Sequence, residues 1–244
     1  MISSRERVPL AASRKVGLCA DNGGCETAPR GNWSVAARPF FFGSENSTGV
    51  RSLINVGANA ISNNGGKHVE SIFLFRDLNN FLEFGWLVEQ PTFFTSPPTV
   101  FNARMYTGVY DEDRLQEDIT RGNHRFYMYH STGTANTFFF RFDGTKYNAS
   151  RKPPCGQSGD PVATGEIKKQ CDDDTTRHRD LEYRTAADDG TRAFWTETHW
   201  SCDTTIHFGY TEISDKEFRV DSRIGIDRVW TATCDPLSFH HSTE

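Results

Sequence analysis

The sequence predicts an all-β fold, a two-sheet antiparallel β-sandwich of the jelly-roll or concanavalin-like type with an extended N-terminal arm. Short runs that alternate between apolar and polar residues follow one another from Arg38 onward, and turn-forming residues separate them. No long segment has the periodicity of an amphipathic helix. Phenylalanine, which strands favour, is frequent, with 19 residues in a chain of 244. These observations favour one large β domain.

The alternation of apolar and polar residues, together with the turns between the runs, predicts a series of strands along the chain. The predicted strands are Gly49–Val56, Ser71–Arg76, Phe81–Glu89, Val100–Tyr110, Arg125–His130, Thr137–Phe142, Pro161–Lys168, Asp180–Thr185, Ala193–Trp200, Ile206–Glu212 and Glu217–Asp221. Asp143-Gly144 and Asp189-Gly190 have the residues of tight turns. The charged segment Asp111–Asn123 is expected to be a loop, or at most one or two helical turns.

Residues 1 to about 36 are polar, basic and rich in Gly, Ser and Ala, and they predict an extended arm before a sandwich domain at 37–244. Two interpretations of the arm stay open. It is either a flexible tail or a segment that pairs with a protein partner's sheet or lies in its groove.

The cysteines indicate an oxidising compartment. They are even in number and not spaced as CxxC pairs, which favours disulfides over structural zinc. Proximity in the sequence suggests the pairs Cys19–Cys25, Cys155–Cys171 and Cys202–Cys234. Three triplets, at Asn32, Asn46 and Asn148, match the glycosylation acceptor pattern. An extracellular, secreted protein is therefore expected.

Several functional classes are disfavoured. The net charge of −5 is mild and argues against sequence-independent binding to nucleic acid. No apolar run is long enough to span a bilayer. Neither a phosphate-binding glycine loop nor a nucleophile–base signature is present, so no cofactor is expected.

Glu83 is the most informative residue, because it lies in the middle of a hydrophobic strand. The run Asn80–Val88 alternates strictly, with a period of two. One predicted core face carries Leu82, Phe84, Trp86 and Val88. The other face carries Glu83, Gly85 and Leu87. A carboxylate here is costly to desolvate, and the glycine lets another group approach the sheet closely.

Three segments, in order, resemble the neprosin family and its small secreted bacterial relatives: Gly49–Val56, Asn80–Trp86 and Pro161–Ile167. Phe126–His130 and Thr137–Tyr147 resemble the two strands that precede the third segment. The resemblance implies a β-sandwich whose peptidase members use two glutamates to hydrolyse peptide bonds at acidic pH, with a preference for cleaving after proline.

Carried over by position, the resemblance places the two glutamates at Glu83 and Glu166. Two neighbouring carboxyl groups cannot both ionise cheaply, so one keeps its proton as general acid while the other activates water. Neither a metal nor a covalent nucleophile is then required. Gly85 and Thr164 are the candidate substrate-binding residues beside them. The chain departs from the family at Thr164, where glycine is usual.

Other side chains have alternative interpretations. Glu197 and His199 share a strand face. Three interpretations of this pair stay open: a solvent-facing polar stripe, an acid–base pair or half of a metal site. The alternation places Phe126, Met128, Phe138, Phe140 and Phe142 in the core. Tyr127, Tyr129 and Arg141 face the other way, where a concave sheet would offer a stacking surface for sugar rings or an extended peptide.

Two functions follow from the sequence. The first is a glutamic peptidase with Glu83 and Glu166 as its acid–base pair. The second is a non-catalytic binding or adaptor module, which engages a glycan or a protein partner through the concave sheet or the N-terminal arm.

Overall fold

The computed structural model confirms the predicted β-sandwich. It describes residues 33–39, 47–57, 66–77, 80–90, 96–106, 108–130, 137–151, 159–168, 175–184, 192–195, 198–203, 209–214 and 216–221. Within these ranges, fifteen strands form two antiparallel sheets. In chain order they are β1 Trp33–Pro39, β2 Gly49–Val56, β3 Gly66–Asp77, β4 Asn80–Gln90, β5 Thr99–Tyr106, β6 Val109–Gln116, β7 Gly122–His130, β8 Phe138–Phe142, β9 Thr145–Arg151, β10 Asp160–Ile167, β11 Thr175–Arg184, β12 Arg192–Phe194, β13 Thr198–Asp203, β14 Gly209–Ser214 and β15 Glu217–Asp221.

The two sheets differ in their strand order. The seven-stranded sheet runs β13-β1-β10-β3-β4-β5-β6, and the eight-stranded sheet runs β14-β15-β11-β2-β7-β8-β9, with β12 paired to β11. Strands distant in the chain therefore become neighbours: β3 lies between β4 and β10. This neighbourhood positions the candidate site.

Each predicted strand overlaps an observed one, and the ranges 49–56 and 217–221 match to the residue. The prediction of a loop or helical turn at Asp111–Asn123 is wrong, because β6 occupies Val109–Gln116. As an edge strand β6 tolerates charged, largely exposed side chains and so lacks apolar alternation. The Asp143-Gly144 turn is confirmed, with φ values of 47° and 84°.

Residues 33–36, assigned to the N-terminal arm, instead form the first half of β1, which pairs with β10 and β13. The remainder of the predicted arm lies outside the described residues.

The core lies between the sheets and has the predicted composition. The predicted core side chains of β4, β7 and β8 are all buried there: Leu82, Phe84, Trp86, Val88, Phe126, Met128, Phe138, Phe140 and Phe142. Phe84 joins the two sheets, because its ring centroid lies 5.3 Å from that of Phe126 and 5.2 Å from that of Phe140.

A polar cluster is also buried between the sheets. Glu70 on β3 accepts a hydrogen bond of 3.0 Å from His68 Nε2 and one of 2.6 Å from His178 Nε2 on β11. The Ser52 hydroxyl lies 3.4 Å from the other ring nitrogen of His178. All four side chains are fully buried. Sequence reasoning missed this cluster, because the histidines showed no ligand spacing.

Candidate functional site

Glu83 and Glu166 lie on the outer face of the seven-stranded sheet, which is turned away from the core. We call this surface the glutamate face. Glu83 comes from β4, between the core residues Leu82 and Phe84, and is only 5% exposed. Glu166 comes from β10 and is partly buried. The alternation of each strand thus places both carboxyl groups on one surface.

The two carboxyl groups are close enough to repel each other. Burial and the neighbouring charge of Glu166 raise the pKa of Glu83 to about 8, from an ordinary value of 4.5. Glu83 therefore keeps its proton at neutral pH. β3 separates β4 from β10, so the pair meets across an intervening strand.

Ion pairs across the seven-stranded sheet show that the sheet is curved. Lys67 Nζ on β3 lies 3.8 Å from a carboxylate oxygen of Glu112 on β6, although β4 and β5 lie between. The register places Glu112 level with Phe73, six residues along β3 from Lys67. On a flat sheet this offset and three strand spacings would separate the two Cα atoms by roughly 24 Å. The glutamate face must therefore curl inward along this diagonal.

Glu166 and Glu83 lie along the same diagonal direction. Two further ion pairs lie on this face. A guanidinium nitrogen of Arg114 lies 2.6 Å from a carboxylate oxygen of Glu89, and Lys67 Nζ lies 3.4 Å from the other oxygen. The four charged residues Lys67, Glu89, Glu112 and Arg114 form what we call the rim lattice. These ion pairs are made across the same curved face on which the two glutamates lie.

The floor between the glutamates is polar and tightly packed. Ser71 on β3 hydrogen bonds to Glu83, and its Oγ lies 2.9 Å from Oγ1 of Thr164 on β10. A Cβ on Gly85 would lie 2.6 Å from both Cα and Cβ of Ser71. The close approach expected at Gly85 is thus made by β3 itself, and the glycine leaves the space that Ser71 fills.

Apolar clusters flank this polar diagonal on both sides. One contains Val69, Leu87, Phe101 and Ala103. The other contains Phe73, Phe75 and Val162, with Phe81 packed against them. Such surroundings exclude water from the carboxyl group of Glu83, which accounts for the direction of its pKa shift.

Tyr110 on β6 is a site residue that sequence reasoning missed, because it was placed at the end of one long strand, Val100–Tyr110, whereas β5 ends at Tyr106 and β6 begins at Val109. Its hydroxyl donates a hydrogen bond of 3.0 Å to Glu112. Partial desolvation and the neighbouring carboxylates, including Glu83 and Glu166, raise the pKa of Tyr110. The phenol therefore keeps its proton near the two glutamates.

The predicted residues Tyr127, Tyr129 and Arg141 lie elsewhere, on the outer face of the eight-stranded sheet. The two tyrosine rings stack with centroids 4.8 Å apart, and Arg141 lies over the Tyr129 ring at 5.3 Å. Because the whole sandwich separates them from Glu83 and Glu166, they do not line the same site. Their part in recognition stays a separate prediction.

The remaining predictions fall largely outside the described residues. Glu197 and all the cysteines except Cys202 are outside, and Cys202 lies in β13. In the described part of the chain, no group of three or more His, Cys, Asp or Glu residues is arranged to hold a metal ion. No helix suited to crossing a membrane occurs among the same residues.

The fold resembles that of glutamic peptidases. Two solved structures of scytalido-glutamic peptidase, each with a transition-state analogue, superpose with TM-scores of 0.53 and 0.51. Each is 12% identical and covers 82% of this chain and 100% of its own. SCP-B, an eqolisin-family peptidase bound to the tripeptide Ala-Ile-His, has a TM-score of 0.49 at 11% identity, with the same coverage. No family model and no curated protein matches the sequence. The likeness to the two scytalido-glutamic peptidase structures therefore establishes a shared fold.

Proposed function

We propose that this protein is a secreted glutamic peptidase of the neprosin type, with Glu83 as general acid and Glu166 as general base. The observation that carries the proposal is the placement of the two carboxyl groups on one curved face, where burial and the charge of Glu166 raise the pKa of Glu83 to about 8. In acid–base catalysis by two carboxyl groups, the surroundings give the two groups different pKa values, so that one acts as the acid and the other as the base. The fold shared with glutamic peptidases is consistent with this chemistry.

In the proposed reaction, Glu83 begins as the protonated acid and Glu166 as the carboxylate. Glu166, as the carboxylate, removes a proton from a water molecule, and the resulting hydroxide attacks the peptide carbonyl carbon. Glu83 donates its proton to the amide nitrogen, which leaves as the amine when the C–N bond breaks. Transfer of the proton from Glu166 to Glu83 restores both groups. The apolar clusters keep bulk water away from this exchange.

The experiment is cleavage of a peptide library between pH 3 and 9 by the wild type, Glu83→Gln and Glu166→Gln. Both variants should lose cleavage at least a hundredfold, since general acid and general base catalysis each contribute about 10²–10⁴-fold. Glu117→Gln, which changes an exposed carboxylate after β6, is the matched control and should retain full activity. Wild-type activity in Glu83→Gln would exclude the proposed mechanism.

A second candidate function is glycan recognition by the outer face of the eight-stranded sheet. The stacked tyrosines favour it, together with Lys146, whose Nζ lies 3.4 Å from the centroid of the Phe139 ring. Aromatic rings beside cations suit sugar rings that bear carboxylates. A glycan array on the wild type and Tyr127→Ala tests this function without reference to the glutamates.

A further inference from the structure

Two hydroxyl groups join the general acid to the neighbouring strands. Ser71 Oγ contacts both Glu83 and Thr164, and the Ser71–Thr164 separation is 2.9 Å. Ser71 is fully buried, and Thr164 is 5% exposed. Thr164 was predicted to bind substrate, but its hydroxyl is engaged within the sheet.

Either hydroxyl can donate across the Ser71–Thr164 contact, so the direction of this chain follows from the bond between Ser71 and Glu83, which favours the Glu83 carboxylate. A serine hydroxyl has a single proton to donate. When Ser71 donates that proton to Glu83, it must accept from Thr164 at the same time. Thr164 then commits the Ser71 proton to one oxygen of Glu83, so that the acidic proton is held on the other oxygen.

We propose that Thr164 and Ser71 form a hydroxyl relay that orients the Glu83 carboxyl group and so selects which of its oxygens carries the transferable proton. Both act as positioning residues, and the catalytic part of the inference rests on the proposed function. Thr164 occupies the position where the resembling family usually has glycine, which lacks a hydroxyl. The relay is thus a feature of this chain.

The close packing of Ser71 against Gly85 supports the relay. The missing side chain at Gly85 gives Ser71 its place, because any Cβ there would contact Cα and Cβ of Ser71 at 2.6 Å. Register pairs Ser71 with both Gly85 and Thr164, so the three positions form one row across β4, β3 and β10. The row leads from the general acid toward the strand that carries the general base.

The test measures Glu83 directly as well as turnover. The proton on Glu83 is titrated by carboxyl-carbon NMR in the wild type, Ser71→Ala, Thr164→Val and Thr164→Ser. The titratable groups that face Glu83 are Lys67, Tyr110, Glu112 and Glu166, and none of them is altered. Thr164→Val keeps the volume of threonine, and Thr164→Ala replaces it if the valine variant does not fold.

The relay predicts that the Glu83 midpoint rises in Ser71→Ala and, by less, in Thr164→Val, because each change weakens a hydrogen bond that favours the carboxylate. Thr164→Ser should keep the wild-type midpoint. In turnover, Thr164→Val should lower kcat roughly tenfold with little change in KM. An unchanged Glu83 midpoint in Thr164→Val overturns the relay. A wild type that titrates as expected but cleaves no peptide overturns the proposed function alone.

Discussion

His178 on β11 donates a hydrogen bond of 2.6 Å to Glu70 on β3 and thereby ties the two sheets together through the core. His68 donates a second bond to the same buried carboxylate. Removal of one partner from such a cluster leaves polar groups unsatisfied in a low-dielectric interior.

Glu70→Gln should therefore lower the free energy of unfolding by about 2–4 kcal/mol, because its amide cannot accept from both imidazoles. Urea denaturation at pH 7 measures the change. Asp180→Asn is the control, since Asp180 is only partly buried, pairs with Arg125 and has a φ of 48° that asparagine tolerates. It should cost less than about 1 kcal/mol. Equal losses in both variants would contradict a structural role for the cluster.

Gly85→Ala tests the packing beneath the site. Its methyl group would meet Cα and Cβ of Ser71 at 2.6 Å and would also press on the backbone oxygen of Glu70. Since backbone cannot yield cheaply, we expect a loss of about 1–3 kcal/mol or more in unfolding free energy. Gly144→Asn, at a turn with a φ of 84° and open space around it, is the contrasting variant; its strain is confined to the backbone, which asparagine tolerates better than most residues, and it should cost less than about 1 kcal/mol. A fully stable Gly85→Ala would show that β3 does not require the glycine.

Stability should depend on pH through Glu83. Its folded-state pKa of about 8 lies above the ordinary 4.5, so its contribution is fully present below pH 4.5 and is lost as pH rises toward 8. The loss approaches about 1.4 kcal/mol per pH unit within this window. Glu83→Gln resembles the protonated acid and lacks this loss.

Denaturation of the wild type and Glu83→Gln at several pH values therefore gives a specific pattern. The stability difference should shift in favour of Glu83→Gln between pH 4.5 and 8. A difference that stays constant over this range would mean that Glu83 ionises normally in the folded protein.

Two residues of the rim lattice shift the pKa of Glu83 in opposite directions. Lys67 lowers the pKa of Glu83 and Glu112 raises it. Lys67→Gln should therefore move the alkaline limb of the pH–activity profile upward, whereas Glu112→Gln should move it downward. Both variants break the Lys67–Glu112 pair, so a purely structural disturbance would shift both limbs in the same direction. Shifts of the same sign would contradict the electrostatic interpretation.

The parts of the fold predicted from sequence are those set by local alternation. The period of two in β4 assigned Phe84 to the core and Glu83 to the outer face, because a strand's two faces follow from its own residues. β6 was missed, since an edge strand need not alternate. Tyr110 was assigned to the end of the preceding strand, so its place beside the glutamates was missed as well.

The candidate site was predictable only in part. The family resemblance placed Glu83 and Glu166 together, but the curvature of their face is seen only in contacts between distant strands, such as the pair of Lys67 and Glu112, three strands apart. The contact between Ser71 and Thr164 likewise depends on the register of β3 with β10, which no local pattern reveals.

The most direct test of the central claim is site-specific titration of Glu83 by carboxyl-carbon NMR, in the wild type and in Glu166→Gln. We predict a midpoint near 8 in the wild type. The midpoint should fall in Glu166→Gln, because a repelling charge is removed. A wild-type midpoint near 4.5 that does not respond to Glu166→Gln would contradict an acid–base pair on this face.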